Sequence, residues 1–516
     1  IKNKLSLSNV FQKDQDFIKS VKILEHAIKN KENIGILGDY DVDGSVSVTL
    51  FLKFFKKINH PHFYYIPDRI NDGYGASKKL FKRLIEKKPK LMIMVDCGST
   101  SSEAIDYLNQ NNIKSLVIDH HEISKPFPKA NMIINPKKDN GYIQYDYLCA
   151  TFLTYFFLDM LIKKIKCKIN LRKYLIYVLL ATVCDVMPLR NLNRILAITA
   201  LKKFDINENP VLKELYKLTN KKNRININDL GYLIGPILNS GGRLGKSNYA
   251  AELLSSENYK IINKRSIDLI NLNNKRKKIE TLILNSINFD KIENDNKDII
   301  FYYDPNMNEG LIGIIAAKLK DYFHKPTVVI TKSKNILKCS ARSIYNYNIG
   351  KIVRNSLQKK IILNGGGHNM AAGFTLKEKN LPIFKDFVLE DFFNKNISLN
   401  SIFEYDAQIT SSAFNKDFFD EIKRIGPFGS GNPSPIFLIK NLKIIKTKIL
   451  NQKYVSCILK SKVGPSINSI SFHSCNSKIG INLLNYKKYL SVIGHINENF
   501  WNNKKTLQLI IKDLIL

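Results

Sequence analysis

The sequence predicts an α/β protein: a parallel, doubly wound sheet, then a long helical connector, a second α/β region and a C-terminal part rich in strands. Three observations carry this expectation. Short apolar runs end in acidic loops three times in the first quarter of the chain, and segments of helical periodicity separate them. Beyond about residue 400 the pattern changes to short strands broken by Pro and Gly, as in a small barrel or sandwich.

Taken in order, an amphipathic pattern over residues 16–30 leads into Ile34-Gly35-Ile36-Leu37, which stops abruptly at Gly38-Asp39. Leu91 to Val95 runs into Asp96-Cys97-Gly98, and Ser115 to Ile118 runs into Asp119-His120-His121. Helices are expected at 45–57, 78–87 and 102–111, so strands and helices alternate and the strands should lie parallel. In such sheets ligands bind beyond the carboxyl ends of the strands, where all three acidic clusters fall. The apolar stretches at 147–162 and 174–189 are interrupted by Asp159 and Asp185 and fall short of the roughly eighteen clean residues of a membrane span, so they read as buried helices. Residues 259–286 read as one long charged helix. A second α/β unit begins with Ile299 to Tyr303, continues through a helix at 313–323 and a strand at 327–331, and closes near Glu378. The expected divisions are 1–205, 206–295, 296–395 and 396–516.

Of the 516 residues 44% are apolar and 24% charged, with 24 Tyr and 28 Phe, which is material for packed cores and excludes a largely disordered chain. Against 45 Asp and Glu stand 80 Lys and Arg, leaving a formal charge of +35. Such an excess points to a polyanion partner, because cations that meet phosphates release counterions. Composition discounts this, since only 12 of the 80 are Arg and 56 residues are Asn, a bias that A/T-rich coding also produces. In an Arg-poor chain, an Arg inside a motif stands out for its fork of donors. The seven Cys are scattered without a Cys-x-x-Cys pair, which disfavours a disulfide scaffold or a thiolate zinc site and fits a reducing cytoplasm.

The segment Gly38-Asp39-Tyr40-Asp41-Val42-Asp43-Gly44 places Asp at alternate positions just past a strand. If the backbone stays extended, the three carboxylates point to one side. Anions that close repel unless cations intervene, and hard divalent metals are the natural partner. On its own, a turn rich in Asp and Gly accounts for the segment nearly as well. Asp96 and Asp119-His120-His121 should meet the first cluster at one sheet edge, and imidazole added to carboxylate suits Mn²⁺ better than Ca²⁺. Asp185, in an apolar stretch, is costly to bury unless it binds a metal or forms a cap or ion pair. Together the set is sufficient for two divalent ions, which activate water and stabilise charge on a phosphoryl group. The chemistry implied is phosphoester hydrolysis.

These segments resemble the four motifs of the DHH phosphoesterase superfamily. Further stretches resemble the RecJ single-stranded-DNA exonucleases within it: Asp68 to Gly75, Asn239 to Gly245, Gly310 to Ala316, Ser340 to Ser343, Gly365 to Gly373 and Pro427 to Pro433. The resemblance implies a DHH catalytic domain over 1–205, a helical connector over 206–295, a DHH-associated substrate domain over 296–395 and an OB-like nucleic-acid-binding domain over 396–516. It implies Asp41, Asp43, Asp96, His120 and Asp185 as ligands of two Mn²⁺ or Mg²⁺ ions, with Asp96 bridging and Asp39 as a further ligand or an acid behind the ligands. Asp119 would orient a His and His121 would face the phosphate, making Asp96, Asp119 and His121 the catalytic set; metal-bound imidazoles need such partners.

For the substrate, Gly366, Gly367 and His368 belong to a small-residue segment that lets backbone N–H groups approach a phosphate, although a plain turn explains the glycines as well. The resemblance makes it a clamp, with His368 reaching toward the metals. Arg69, Arg243 and Arg342 each sit in a Gly- or Ser-containing loop suited to bidentate phosphate contact. By resemblance Arg69, Ser340 and Arg342 form a pocket for a terminal 5′ phosphate, and Arg243 is a lesser contact. Tyr454, Phe500 and Trp501 are candidates for stacking on bases, with core packing equally open. The implied activity is 5′-to-3′ hydrolysis of single-stranded DNA to mononucleotides in recombination and repair, by a cytoplasmic monomer that makes no use of a membrane. Single-strand-binding protein and a RecQ-type helicase are the partners expected with it. An oligonucleotide or cyclic-dinucleotide phosphodiesterase of the same superfamily would use the same acids but resembles only the first two domains. A non-catalytic strand-binding scaffold would have no need of the whole set.

Overall fold

Five parallel strands form the first sheet of the protein, a computed structural model that describes residues 7–68, 72–73, 75–138, 142–295, 297–395, 397, 404–472, 474–475, 477–501 and 504–516. The strands are β1 (Ile34–Gly38), β2 (His62–Tyr65), β3 (Leu91–Val95), β4 (Lys114–Ile118) and β5 (Met132–Ile134), in the order β2-β1-β3-β4-β5. Six helices accompany them: α1 (Gln15–Lys29), α2 (Val42–Lys57), α3 (Lys78–Leu84), α4 (Ser102–Gln110), α5 (Ala150–Lys164) and α6 (Leu175–Cys184). β1 and β3 are buried along their whole length, as strands covered on both faces must be. Their side chains alternate between two cores. Ile34, Ile36, Leu91, Ile93 and Val95 pack with α1, α2, α5 and α6, whereas Leu37, Met92 and Met94 pack with α3 and α4.

Local chemistry sets where the helices start. Asp14 accepts from the Phe17 N–H at 2.8 Å to cap α1, and Ser77 accepts from the Leu80 N–H at 3.2 Å to cap α3. The apolar stretches become α5 and α6, which are buried on nearly all sides. The long helix spans Tyr259–Ser286, and its buried residues Ile262, Ser266, Leu269, Asn273 and Arg276 recur at intervals of three and four.

The second region is α/β as expected, with a mixed sheet. β6 (Ile300–Tyr303), β7 (Thr327–Ser333), β8 (Ile336–Arg342), β9 (Asn364–His368) and β10 (Ala371–Leu376) lie in the order β6-β7-β8-β10-β9, and only β6 and β7 run parallel. The motif segments at Ser340 and Gly365 are strands, which their small residues conceal. The unit does not close near Glu378. Helix Leu381–Asn394 follows and buries Phe384, Val388 and Phe392 in the same core as Tyr347.

The last sheet holds β11 (Ala407–Ile409), β12 (Phe437–Leu450), β13 (Tyr454–Lys460), β14 (Ile467–Ser471), β15 (Leu490–Trp501) and β16 (Lys504–Ile515), in the order β11-β12-β13-β14-β16-β15. β12 also pairs with β15, so these strands close into a barrel around Ile439, Val455, Leu459, Ile467, Val492 and Leu509. The chain divides into two compact units, residues 1–187 with 191–399 and residues 188–190 with 400–516. All seven Cys are free thiols. Among the described residues no helix is long and apolar enough to cross a membrane.

Candidate metal centre

Seven residues from four chain segments meet at the carboxyl edge of the first sheet, and each arrives there for a local reason. Past β1 the backbone does not stay extended. α2 begins at Val42, three residues ahead of its expected start, because Asp41 accepts from the Gly44 N–H at 3.1 Å and caps it. The three carboxylates therefore do not form one row. Asp39 and Asp41 lie with Asp96, whereas Asp43, carried round by the first helical turn, lies with His120 and Asp185. Gly44 is needed for the tightness of this turn, since a Cβ there would sit 2.5 Å from both the backbone N and O of Asp39. Asp43 is aimed at the start of α5, where its carboxylate accepts from the N–H groups of Ala150 and Thr151, both at 2.8 Å.

Asp96 follows β3 with a φ of 60°, a left-handed conformation uncommon for a residue with a side chain and typical of sites where function holds it. Beyond β4, Asp119 is the organiser. Its Oδ1 accepts from the N–H groups of His120 (2.8 Å) and His121 (3.2 Å) and from the His121 ring Nδ1 (2.8 Å), and its Oδ2 accepts from the Ser99 N–H (3.0 Å). Burial alone would raise the Asp119 carboxyl, but the His121 charge and these hydrogen bonds hold it well below the usual carboxylate range. The same pairing outweighs burial at His121 and lifts it to about 9. Asp185 is the C-terminal cap residue of α6, an end of the helix that disfavours an anion, so its carboxylate calls for a cation.

The centre is crowded and unsatisfied. His120 Nε2 lies 3.3 Å from Asp185 Oδ2, 3.4 Å from Asp96 Oδ1 and 3.8 Å from Asp43 Oδ2. Yet neither ring nitrogen of His120, nor Asp96 Oδ1, nor Asp185 Oδ2 makes a hydrogen bond. Burial, and after it the neighbouring carboxylates, push the carboxyls of Asp43, Asp96 and Asp185 upward; burial, and then His121, push His120 down. Buried polar atoms are normally paired, and one left unpaired costs about 1–3 kcal/mol. Divalent cations would satisfy all of them. Three sets of ligand atoms, each within 4.8 Å, offer places: Asp39, Asp41 and Asp96; Asp96, His120 and His121; Asp43, His120 and Asp185. Asp96 and His120 each belong to two sets, and of the two only the carboxylate, with two oxygens, could serve two ions at once.

Two polar residues not expected from the sequence hold this arrangement. Asn135 donates to Ser99 Oγ at 2.8 Å and to the His121 carbonyl at 2.9 Å. It lies just past β5, as Asp96 and Asp119 lie just past β3 and β4, so its place at a strand end was a readable signal. Asn239 Oδ1 accepts from the Val42 N–H at 3.0 Å.

The expected substrate residues are distributed more loosely. Arg69 lies outside the described residues. Arg342 donates to Ser340 Oγ at 3.2 Å and to the Ala341 carbonyl at 2.8 Å. A Cβ on Gly313, at the start of helix Ile312–Phe323, would lie 3.0 Å from Arg342 Nη2 and 3.1 Å from Ser340 Oγ, so side chain, hydroxyl and helix N-terminus meet. Arg243 ends helix Gly235–Arg243 and donates to the Gly310 carbonyl at 3.2 Å, which ties that helix to the second α/β region. Gly366, Gly367 and His368 form the edge strand β9, not a turn. A Cβ on Gly367 would collide with Ala371 O at 2.4 Å, whereas Gly366 faces open space. The His368 ring stands 6.0 Å from that of His121, at 28°. Burial, followed by Lys137 and His121, brings His368 down to about 4. Tyr454 packs against Phe472 at 5.4 Å and 77°; the side chains of Phe500 and Trp501 lie outside the described set.

Comparison with known proteins matches this organisation segment by segment. The model of the DHH family N-terminal domain matches residues 33–182, and that of the DHHA1 domain residues 296–394. The chain therefore carries a DHH domain and a DHHA1 domain. The model of the RecJ OB domain matches residues 405–513, so the chain carries in order the three domains that the resemblance implies. The single-stranded-DNA-specific exonuclease RecJ of Haemophilus influenzae is 28% identical over 95% of this chain and 89% of its own length. Its Bacillus subtilis namesake is 28% identical over 95% of this chain and 62% of that longer protein. In structure, RecJ of Thermus thermophilus in complex with Mn²⁺ superposes with a TM-score of 0.82 at 20% identity, covering 99% of this chain and 72% of that one, which is a likeness of fold.

Proposed function

We propose that this protein is a metal-dependent exonuclease that hydrolyses single-stranded DNA from its 5′ end and releases mononucleotides, in recombination and repair. One observation carries the reading: the buried atoms of Asp96, His120 and Asp185 that lack hydrogen bonds converge where a pair of divalent cations would complete them. Asp39, Asp41, Asp43, Asp96, His120 and Asp185 are the residues that would hold Mn²⁺ or Mg²⁺. When bound, such ions supply Lewis acidity to a phosphodiester and a nucleophile from water at neutral pH.

The chain's own residues do the positioning. Asp119 fixes the orientation of the His121 ring through Nδ1, so that the imidazole can face a phosphate oxygen. His368 brings a second imidazole from the other sheet to the same place. Arg342, Ser340 and the N-terminus of helix Ile312–Phe323 form a site suited to a terminal phosphate, with Arg69 as the further expected contact. The C-terminal barrel supplies a strand-binding platform. The expected setting is the cytoplasm, with a monomer acting on strands that single-strand-binding protein and a RecQ-type helicase present.

The test is digestion of single strands labelled at the 5′ or the 3′ end, with a duplex control, in Mn²⁺, in Mg²⁺ and in EDTA. The expected result is metal-dependent release of 5′ label as mononucleotide with the duplex intact. Release of dinucleotide products only, or digestion starting at the 3′ end, overturns the assignment.

A further inference from the structure

A cluster of charge beside the metal centre belongs to none of the motifs. Glu122, the residue after His121, makes an ion pair of 3.2 Å with Lys137. Arg354, on helix Ile349–Gln358 of the second α/β region, donates to the Gly367 carbonyl at 3.1 Å. Its charge bears on Glu122 and on His368. Glu122 thus touches Lys137 on its own side of the seam at which His121 and His368 meet, and Arg354, held to Gly367 beside His368, lies within electrostatic range from the other side.

Lys137 differs from an ordinary surface lysine in two ways. Its side chain is only 14% exposed, against 52% for its partner, so a largely desolvated cation is in direct contact with the Glu122 carboxylate. Its backbone is held by the network that builds the centre: the Lys137 N–H donates to Asn135 Oδ1 at 2.9 Å, and Asn135 in turn holds Ser99 and the His121 carbonyl. From there Lys137 is close enough for its charge to reach His120, Asp185 and His368. A centre lined by six aspartates repels a polyanion, and a strand that enters it needs cations at the mouth. Lys as a point charge and Arg as a donor fork are the two side chains that hold phosphate oxygens.

We propose that Lys137 and Arg354 contact a backbone phosphate of the bound strand next to the scissile position, and that in the free protein the Glu122 carboxylate occupies the place this phosphate takes. This rests on the reading of the protein as a single-strand exonuclease. It adds two substrate contacts from opposite sides of the cleft and a carboxylate that the strand must displace.

The experiment measures binding of a 5′-phosphorylated oligothymidine, labelled at its 3′ end, by fluorescence anisotropy in EDTA over a range of salt, followed by steady-state kinetics in Mn²⁺. Lys137→Met should weaken binding about tenfold and flatten the slope of log affinity against log salt by about one. In turnover it should raise KM with kcat within about twofold. Lys137→Arg should restore most of the affinity, which separates lost charge from lost fold. Arg354→Met should flatten the slope in the same way. Glu122→Gln should tighten binding several-fold, and this gain should vanish in the Lys137→Met background. If Lys137→Met and Arg354→Met keep the parental salt slope, or if Glu122→Gln weakens binding, the cluster is a structural ion pair and this inference is wrong while the exonuclease reading stands. A parent protein that neither binds nor cuts the strand overturns both.

Discussion

The two sheet edges that meet at His121 and His368 are built on opposite principles. The carboxyl edge of the parallel sheet concentrates negative charge in a dry place: Asp39, Asp43, Asp96 and His120 are each under 5% exposed, and Asp96 Oδ1 and both ring nitrogens of His120 make no hydrogen bond among the described residues. The β8–β10–β9 edge carries almost no buried charge. It offers backbone, a hydroxyl, one Arg and one His, with Gly366 facing open space. The first edge is costly without cations and rigid by design. The second costs little and leaves room. Chemistry on a phosphoryl group needs charges fixed in advance, whereas holding a strand that moves after each cut needs contacts that form and release.

If that contrast is correct, damage at the two edges should look different. The largest effect is expected from Asp96→Ala, which removes a group shared by two ligand sets and should lower turnover by about a thousandfold or more. In metal-free buffer its Tm should be equal to or above that of the parent, because burial and its carboxylate neighbours penalise this group. A large loss of Tm without metal would break the comparison. Asp119→Asn should cost about 10- to 100-fold in turnover, the usual effect of losing an orienting partner behind a metal centre, because Asp119 holds the ring of His121; a variant at full rate would remove Asp119 from the catalytic set.

Metal itself sharpens the contrast through stability. An ion that binds only the folded chain adds about 2.7 kcal/mol at a hundredfold excess over Kd. Mn²⁺ should therefore raise the Tm of the parent and of Arg342→Ala alike, but not that of Asp96→Ala, as thermal scans with and without EDTA will show. At the other edge, Arg342→Ala should lose about 1.5–3 kcal/mol of a charge-assisted contact, and only on strands with a 5′ phosphate. Equal losses on phosphorylated and hydroxyl ends would remove the terminal-phosphate pocket. The smallest pair of effects lies within β9. Gly367→Ala should destabilise by about 1–3 kcal/mol, because its Cβ meets Ala371 O and Ala372. Gly366→Ala should keep the parental Tm, so that any change in its KM reports on the strand.

Much of the first edge is legible from residue order because strands that end in acids announce where a parallel sheet binds its ligands, which brings Asp39, Asp96 and Asp119 to one edge, whereas Asp185 stands out as an acid in an apolar stretch. What misled was local. Alternate Asp residues suggest extended backbone, yet a single capping bond from Asp41 starts α2 early and divides the three acids between two ligand sets. The second edge was read as loops because Gly, Ala and Ser carry weak strand propensity. Pairing with neighbouring strands, which no local pattern encodes, makes β8, β9 and β10 strands all the same.

By itself the sequence determined the alternation of strands and helices, the acids at the strand ends, the long connecting helix and the resemblance that these motifs carry. These depend on residues near one another in the chain, where periodicity and turn chemistry act. Only the tertiary structure decided which carboxylate joins which imidazole, that the start of α5 receives Asp43, that His368 comes to the side of His121 and that Arg354 is held to Gly367 beside it. Those are contacts between segments far apart in the chain, fixed by how the cores pack. The charge of +35 divides in the same way: composition sets its size, and packing places Lys137 and Arg354 where an anion is expected.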